Sequence, residues 1–182
     1  MKVKIVLMLL LILSIFSGCQ EGDGDQDYGF AYIYMPQAMV SGGLTNYYNV
    51  PSGGGEYTYN FKIQDGQLNV ILGVLRSGKL ADEAYRVDIN ASETSADVLS
   101  AVGGLALPTA IYSLPQNVNV PSGKSGETFY LSLDADALMS EAYDGQKLVL
   151  TIGISNPTNF ELADVGTSVV VIIDVDNVRE FM

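Results

Sequence analysis

The sequence predicts an all-β fold, an antiparallel β-sandwich with one short helix, on three observations. Stretches of period-two alternation recur along the chain, turn signals part them roughly every 8 to 12 residues, and a single stretch carries both a helix start and a helix stop. Residues 28–35 are aromatic and β-branched, and Pro36 ends that strand by removing a ladder donor. Residues 37–55, rich in Gly, Ser and Asn, are expected to form a loop holding Tyr47 and Tyr48. Residues 56–63 alternate, which places Tyr57, Tyr59, Phe61 and Ile63 on one face. Asp65-Gly66 is a hairpin signal that leads into a partner strand over 67–75. In the strand over 85–91, Tyr85, Val87 and Ile89 share a face. The helix falls at 95–102, with Thr94 as its cap, Asp97 near its positive end and Gly103-Gly104 as its stop. Short strands follow at 112–115, 117–121 and 128–133, one helical turn at 134–139, an apolar central strand at 147–154 and a last strand at 167–175. The total is about seven to nine strands, the number a sandwich needs.

The first 27 residues follow another logic. Lys2 and Lys4 precede residues 5–16, whose one polar member is Ser14. That run suits a secretory signal and falls short of the roughly 20 apolar residues that span a bilayer. Ser17 and Gly18 are small enough to lie extended in a peptidase groove, and Cys19 is the only cysteine. The stretch Phe16-Ser17-Gly18-Cys19 resembles a bacterial lipobox, which implies cleavage before Cys19 and lipidation of its thiol. Two or more acyl chains hold a protein on a membrane stably where one does not. Residues 19–27 then form an acidic, glycine-broken tether with no apolar residue after the cysteine to offset the entropy of ordering. Acidic residues at this place resemble the export signal of Bacteroidetes surface lipoproteins, implying the outer face of the outer membrane. The domains expected are therefore signal peptide 1–18, tether 19–27 and sandwich 28–182.

Composition removes whole classes of function. Cleavage removes 18 of 182 residues and with them Lys2 and Lys4, leaving 164 residues, 7 basic and 21 acidic, and moving the net charge from −12 to −14. So acidic a surface repels nucleic-acid phosphates, and no nucleic-acid partner is expected. With no histidine and one cysteine, neither a Ser-His-Asp system nor the usual zinc sites can be built. Carboxylate-pair glycosidase chemistry needs only two acids, but there is no Trp to form a sugar subsite. A non-catalytic protein is the expectation.

The order and spacing of several segments carry a family resemblance. Residues 33–38 (IYMPQA), 112–115 (YSLP), 118–123 (VNVPSG), 130–134 (YLSLD) and 148–154 (LVLTIGI), with the closing apolar strand, are similar to the immunoglobulin-like N-terminal domain of Bacteroidetes surface lipoproteins. The resemblance spans nearly the whole mature chain and implies an immunoglobulin-like sandwich in a carbohydrate-utilisation setting. In that family a second, C-terminal domain often holds the glycan site, whereas here the sandwich accounts for the residues up to Met182. The implied role is an accessory glycan-binding component of a polysaccharide-uptake system, anchored by lipid in the outer membrane. The alternative is a structural or adhesion module that offers a sheet edge to another surface protein.

Two sets of side chains are candidate sites. A tyrosine ring stacks on the apolar face of a sugar while its hydroxyl hydrogen-bonds. Tyr47 and Tyr48, in the expected loop, are the candidate ligand-binding pair, against the reading that one of them plugs the end of the sandwich. Tyr57, Tyr59 and Tyr85, on apolar strand faces, are expected in the core. Asp174, Asp176 and Asn177 are the candidate metal residues. Alternate strand positions would put both carboxylates on one face, the ending resembles the calcium-binding end of Calx-β sandwiches, and hard oxygens suit calcium. Asp134 and Asp136 could contribute from another loop; the plain reading is a solvated strand end. The alternating acids Asp23, Asp25 and Asp27 fail as an EF-hand because Tyr28 and Tyr34 occupy the Gly and Glu positions. Lys124, between two glycine turns, lacks the spacing and the helix of a phosphate loop.

Overall fold

A computed structural model describes residues 31–40, 42, 45–78 and 83–182. The signal region, Cys19 and the acidic tether lie outside these residues. In chain order come β1 (Tyr32–Tyr34), a 3-10 turn (Pro36–Met39), β2 (Tyr47–Val50), β3 (Phe61–Gln64), β4 (Gln67–Arg76) and β5 (Tyr85–Ser92). Then follow α1 (Ala96–Val102), β6 (Leu105–Ala106), β7 (Tyr112–Ser113), β8 (Asn117–Val120) and β9 (Gly126–Asp134). The chain closes with α2 (Ala135–Leu138), β10 (Lys147–Ser155), β11 (Glu161–Leu162), β12 (Ser168–Asp174) and α3 (Val175–Arg179).

These strands make two six-stranded sheets. One has the order β11-β1-β4-β9-β7 with β3 also on β4; the other has β2-β12-β10-β5-β8 with β6 also on β10. Alternation decides what lies between them. Leu68, Val70, Leu72 and Val74 of β4 and Phe129, Leu131 and Leu133 of β9 face Leu148, Ile152 and Ile154 of β10 and Val169, Val171 and Ile173 of β12 in one core. Each fully buried aliphatic side chain stabilises by about 1.5–3 kcal/mol relative to exposure. The runs at 148–150 and 169–173 are apolar without alternation for a separate reason. Their outward residues Val149, Val170 and Ile172 are buried beneath Val98, Leu99 and Val102 of α1, so these strands are covered on both faces.

The turns follow residue chemistry. Asp65 and Gly66 both take positive φ (54° and 73°), as a two-residue hairpin requires, and Gln64 pairs with Gln67 across it. The helix cap is Ser95, whose side chain accepts from Val98 N at 3.4 Å, and not Thr94. Thr94 is buried, its hydroxyl 3.0 Å from that of Thr151, because a residue leaving β5 still faces β10.

Three differences from the sequence reading matter for the site. Tyr47 and Tyr48 lie in a strand and not a loop, since Val170–Ile173 of β12 offer them a parallel edge to pair with. Residues 56–60 are not a strand. The run Gly53-Gly54-Gly55 takes positive φ throughout, a tight Gly54↔Tyr57 bridge forms, and regular pairing starts only at Phe61. The pairing is mostly antiparallel, but β1–β11, β2–β12 and β6–β10 are parallel. Between β1 and β2 the chain crosses at the Pro36 turn from one sheet to the other, where β1 lies between β11 and β4 and β2 forms an edge beside β12.

Orientation follows from register. β1 pairs with Leu75 and Arg76 at the far end of β4, whereas the Asp65-Gly66 turn, α2 and α3 lie at its beginning. Ten residues of β4 separate these ends by about 30 Å.

Candidate binding site

The residues singled out by sequence are placed apart. Tyr47 and Tyr48 are adjacent in β2, so their rings leave opposite faces of the sheet. Tyr47 packs beside Val98, Leu99 and Val102 on the outer cluster. Tyr48 packs against the main core and donates its hydroxyl to the Ile71 carbonyl at 3.2 Å. Burial pushes its phenol above the ordinary value, with Asn60 offsetting part of the shift. Tyr85 is buried and donates to the Ser125 carbonyl at 3.0 Å, with Phe160 edge-on at 5.8 Å.

The candidate calcium residues are engaged in local structure. β12 ends at Asp174, so Asp174 and Asp176 do not continue along a strand. The Asp174 carboxylate accepts from Asn177 N at 3.2 Å as the cap of α3. That of Asp176 accepts from Gly145 N at 3.1 and 3.2 Å and lies 3.7 Å from Arg179. Asp134 repeats the arrangement, ending β9 and accepting from Ala137 N at 3.1 Å at the start of α2. Both acids satisfy helix N–H groups that have no intrahelical partner. Among the described residues, no group of three or more acidic side chains converges as a metal would need.

The structure brings together a cluster that the sequence reading dispersed. Tyr59, Phe61 and Phe181 meet at the corner where β2 ends, β3 begins and α3 leaves β12. The ring centroids are 5.5 Å apart for Tyr59–Phe61, 4.9 Å for Tyr59–Phe181 and 5.3 Å for Phe61–Phe181. These are edge-to-face and tilted contacts of the kind aromatic quadrupoles favour. Phe61 is buried and anchors the cluster, while Tyr59 and Phe181 stay 38% and 40% exposed. Tyr57, in the adjoining turn, is 78% exposed. Gly54 permits the arrangement, since a Cβ there would stand 2.7 Å from the Tyr59 hydroxyl and 2.9 Å from its ring carbons. Tyr57 and Tyr59 were expected in the core on a strand pattern that the three glycines interrupt. That run was the available signal, whereas Phe181 had none, being 122 positions from Tyr59 in sequence. With two phenol hydroxyls, exposed ring surface and polar Asn60 and Gln64 nearby in sequence, the corner can stack on an apolar ring and hydrogen-bond at its rim.

No protein-family model and no curated protein matches this sequence. Among solved structures, the fold is similar to a two-domain protein of unknown function from Bacteroides fragilis, with 13% identity and TM-score 0.53 over 80% of this chain and 45% of that one. It is also similar to an auxiliary nutrient binding protein from Bacteroides thetaiotaomicron, with 16% identity and TM-score 0.47 over 71% of this chain and 44% of that one. A third is the apo form of a Calx CBD1 domain, with 16% identity and TM-score 0.48 over 79% of this chain and 96% of that one. Likeness at such identities concerns the fold alone. The described residues form a β-sandwich, similar in fold to part of a larger Bacteroides protein, and the chain spans less than half the length of the two Bacteroides proteins above.

Proposed function

We propose that this chain is a lipid-anchored, non-catalytic binding module of the bacterial outer surface, serving as an accessory glycan-binding component of a polysaccharide-uptake system. The observation that carries the reading is the aromatic corner of Tyr57, Tyr59 and Phe181, held in place from beneath by Phe61. Its position supports the same reading. Phe61 pairs with Val70, six residues along β4 from the pairing of β1 with Arg76, or about 20 Å from where the chain enters the sandwich. Phe61 thus lies away from the end of β4 on which β1 is paired. Tyr47 and Tyr48 take part only through packing, and calcium at Asp174, Asp176 and Asn177 requires the carboxylates to exchange their N–H partners for the ion.

The test is a glycan-array screen of the full chain in detergent, run with calcium and with chelator. Binding to a glycan class that Tyr59→Ala and Tyr57→Ala weaken about tenfold or more, and that Tyr47→Ala leaves in place, is the expected result. Retention of binding in the Tyr57→Ala, Tyr59→Ala double variant would exclude the corner. Anchoring is tested separately by mass spectrometry of membrane fractions: wild type carries acyl mass on Cys19, and Cys19→Ser is neither acylated nor cleaved before residue 19.

A further inference from the structure

On the side of the sandwich away from the aromatic corner, both sheets present open strand edges to one groove. β9 pairs with β4 along its whole length, but its other edge meets only Tyr112 and Ser113 of β7, opposite Leu133 and Ser132. The reason lies in the next pair. Continuing that register puts residue 115 opposite Tyr130, and Pro115 has no N–H to give the Tyr130 carbonyl. The chain therefore leaves β9 and crosses to the other sheet as β8.

Backbone parity shows which groups are left. Arg76 N donates to Ser125 O and Ala135 N to Gly66 O, so odd-numbered residues of β9 turn their N–H and C=O toward β4. Gly126, Thr128 and Tyr130 turn theirs outward. By the same logic Ile89 N donates to Gln116 O, so Val118 and Val120 of β8 face β5 while Asn117 and Asn119 face out. Among the described residues no strand pairs with these outward groups. The groove between them has a volume of about 530 Å³, with Leu114, Val118 and Phe129 in its wall. One device partly closes it. The Glu127 carboxylate, held by Lys124 at 2.9 Å, accepts from Thr128 N at 3.2 Å and so occupies the outward donor next to Tyr130.

We propose that this groove binds an extended, basic segment of another protein, which adds a strand to the free edge of β9 at residues 126–130, beyond the end of β7. Main-chain bonds to Tyr130 and Thr128 supply affinity, and alternate apolar side chains of the segment enter beside Leu114, Val118 and Phe129. Charge selects the occupant. With 21 acidic and 9 basic residues, two copies of this chain repel one another, and the same field draws in a basic segment. This site is separate from the aromatic corner and does not depend on the sugar reading.

The probe is a fluorescein-labelled heptapeptide with lysine at each end and valine and threonine alternating between them, titrated by fluorescence polarisation against the full chain in detergent. Saturable binding is expected, with hydrogen exchange slowed at Thr128 and Tyr130. N-methylation of alternate peptide residues on the pairing edge weakens binding about tenfold or more, because strand addition needs the peptide N–H groups. Glutamate in place of the lysines weakens it at low salt. Tyr130→Pro removes an outward donor without breaking a β4 bond and abolishes binding; the N-methyl comparison decides the matter if that variant does not fold. Equal affinity for the N-methylated peptide, no binding at about 1 mM peptide, or self-association of the chain through this edge would each overturn the proposal.

Discussion

Arg179→Ala is expected to destabilise the domain by about 3 kcal/mol. The side chain is only 17% exposed and is used in full. Its Nε donates to the Leu138 carbonyl at 2.8 Å, one Nη to the Ser140 carbonyl at 2.6 Å, and the other Nη to the Asp144 carboxylate. Leu138 ends α2, where a carbonyl has no helical donor and a cation meets the negative end of the helix dipole, while the Ser140 carbonyl, two residues beyond, also accepts from Tyr143 N at 3.1 Å. Hydrogen bonds from a charged donor contribute about 1.5–3 kcal/mol each; the ordering entropy of the arginine side chain, about 2 kcal/mol, offsets part of the pair. Asp144 and Asp176 are more than half exposed, so together they add less than about 1 kcal/mol. For a domain of this size about 3 kcal/mol corresponds to a fall in Tm of roughly 6–12 °C. Urea denaturation followed by circular dichroism measures it, with Asp144→Asn as the control. The reasoning fails if Arg179→Ala costs less than about 1 kcal/mol, or if Asp144→Asn costs as much as removing the arginine. Because α3 leads directly into Phe181, the same variant should also weaken any ligand held at the aromatic corner.

Two further outcomes follow from particular atoms. Burial pushes the Tyr85 phenol up to about 12, with the Arg76 guanidinium pulling the other way. The folded chain keeps this proton where the unfolded chain, with an ordinary value near 10, loses it. The stabilisation is therefore whole below about pH 10 and falls by about 2–3 kcal/mol as pH rises toward 12. Urea midpoints between pH 9 and pH 11.5 or so should drop in wild type more steeply than in Tyr85→Phe, and parallel curves would refute the assignment. Gly126→Ala should cost more than about 3 kcal/mol, since its Cβ would stand 2.3 Å from the Val74 carbonyl oxygen in the β4–β9 ladder. Gly66→Ala meets nothing within 4 Å and should cost only the left-handed backbone term, about 1–2 kcal/mol. A ranking reversed in thermal melts would count against the β4–β9 packing.

Local chemistry in the sequence determined the two-sheet sandwich, the Asp65-Gly66 hairpin, the helix ended by Gly103, the central place of residues 147–154 and the inward faces of Tyr85, Val87 and Ile89. Each depends on periodicity or on a turn residue within a few positions, so the sequence holds the whole signal. Tertiary structure decided the rest. Whether Tyr47 and Tyr48 form a loop or a strand turned on the bare edge of β12, more than 120 residues away. Whether Thr94 or Ser95 capped α1 turned on the hydroxyl of Thr151. Tyr57 and Tyr59 left the core because three glycines let the chain bend, and Tyr59 found Phe181 because α3 delivers it to the same corner. The open edge of β9 likewise needed the register that sets Pro115 opposite Tyr130. Alternation fixes which side of a strand is apolar, a property of neighbouring residues; which strand lies beside it, and so which side chains and backbone groups stay exposed, is a property of pairings made across the whole chain.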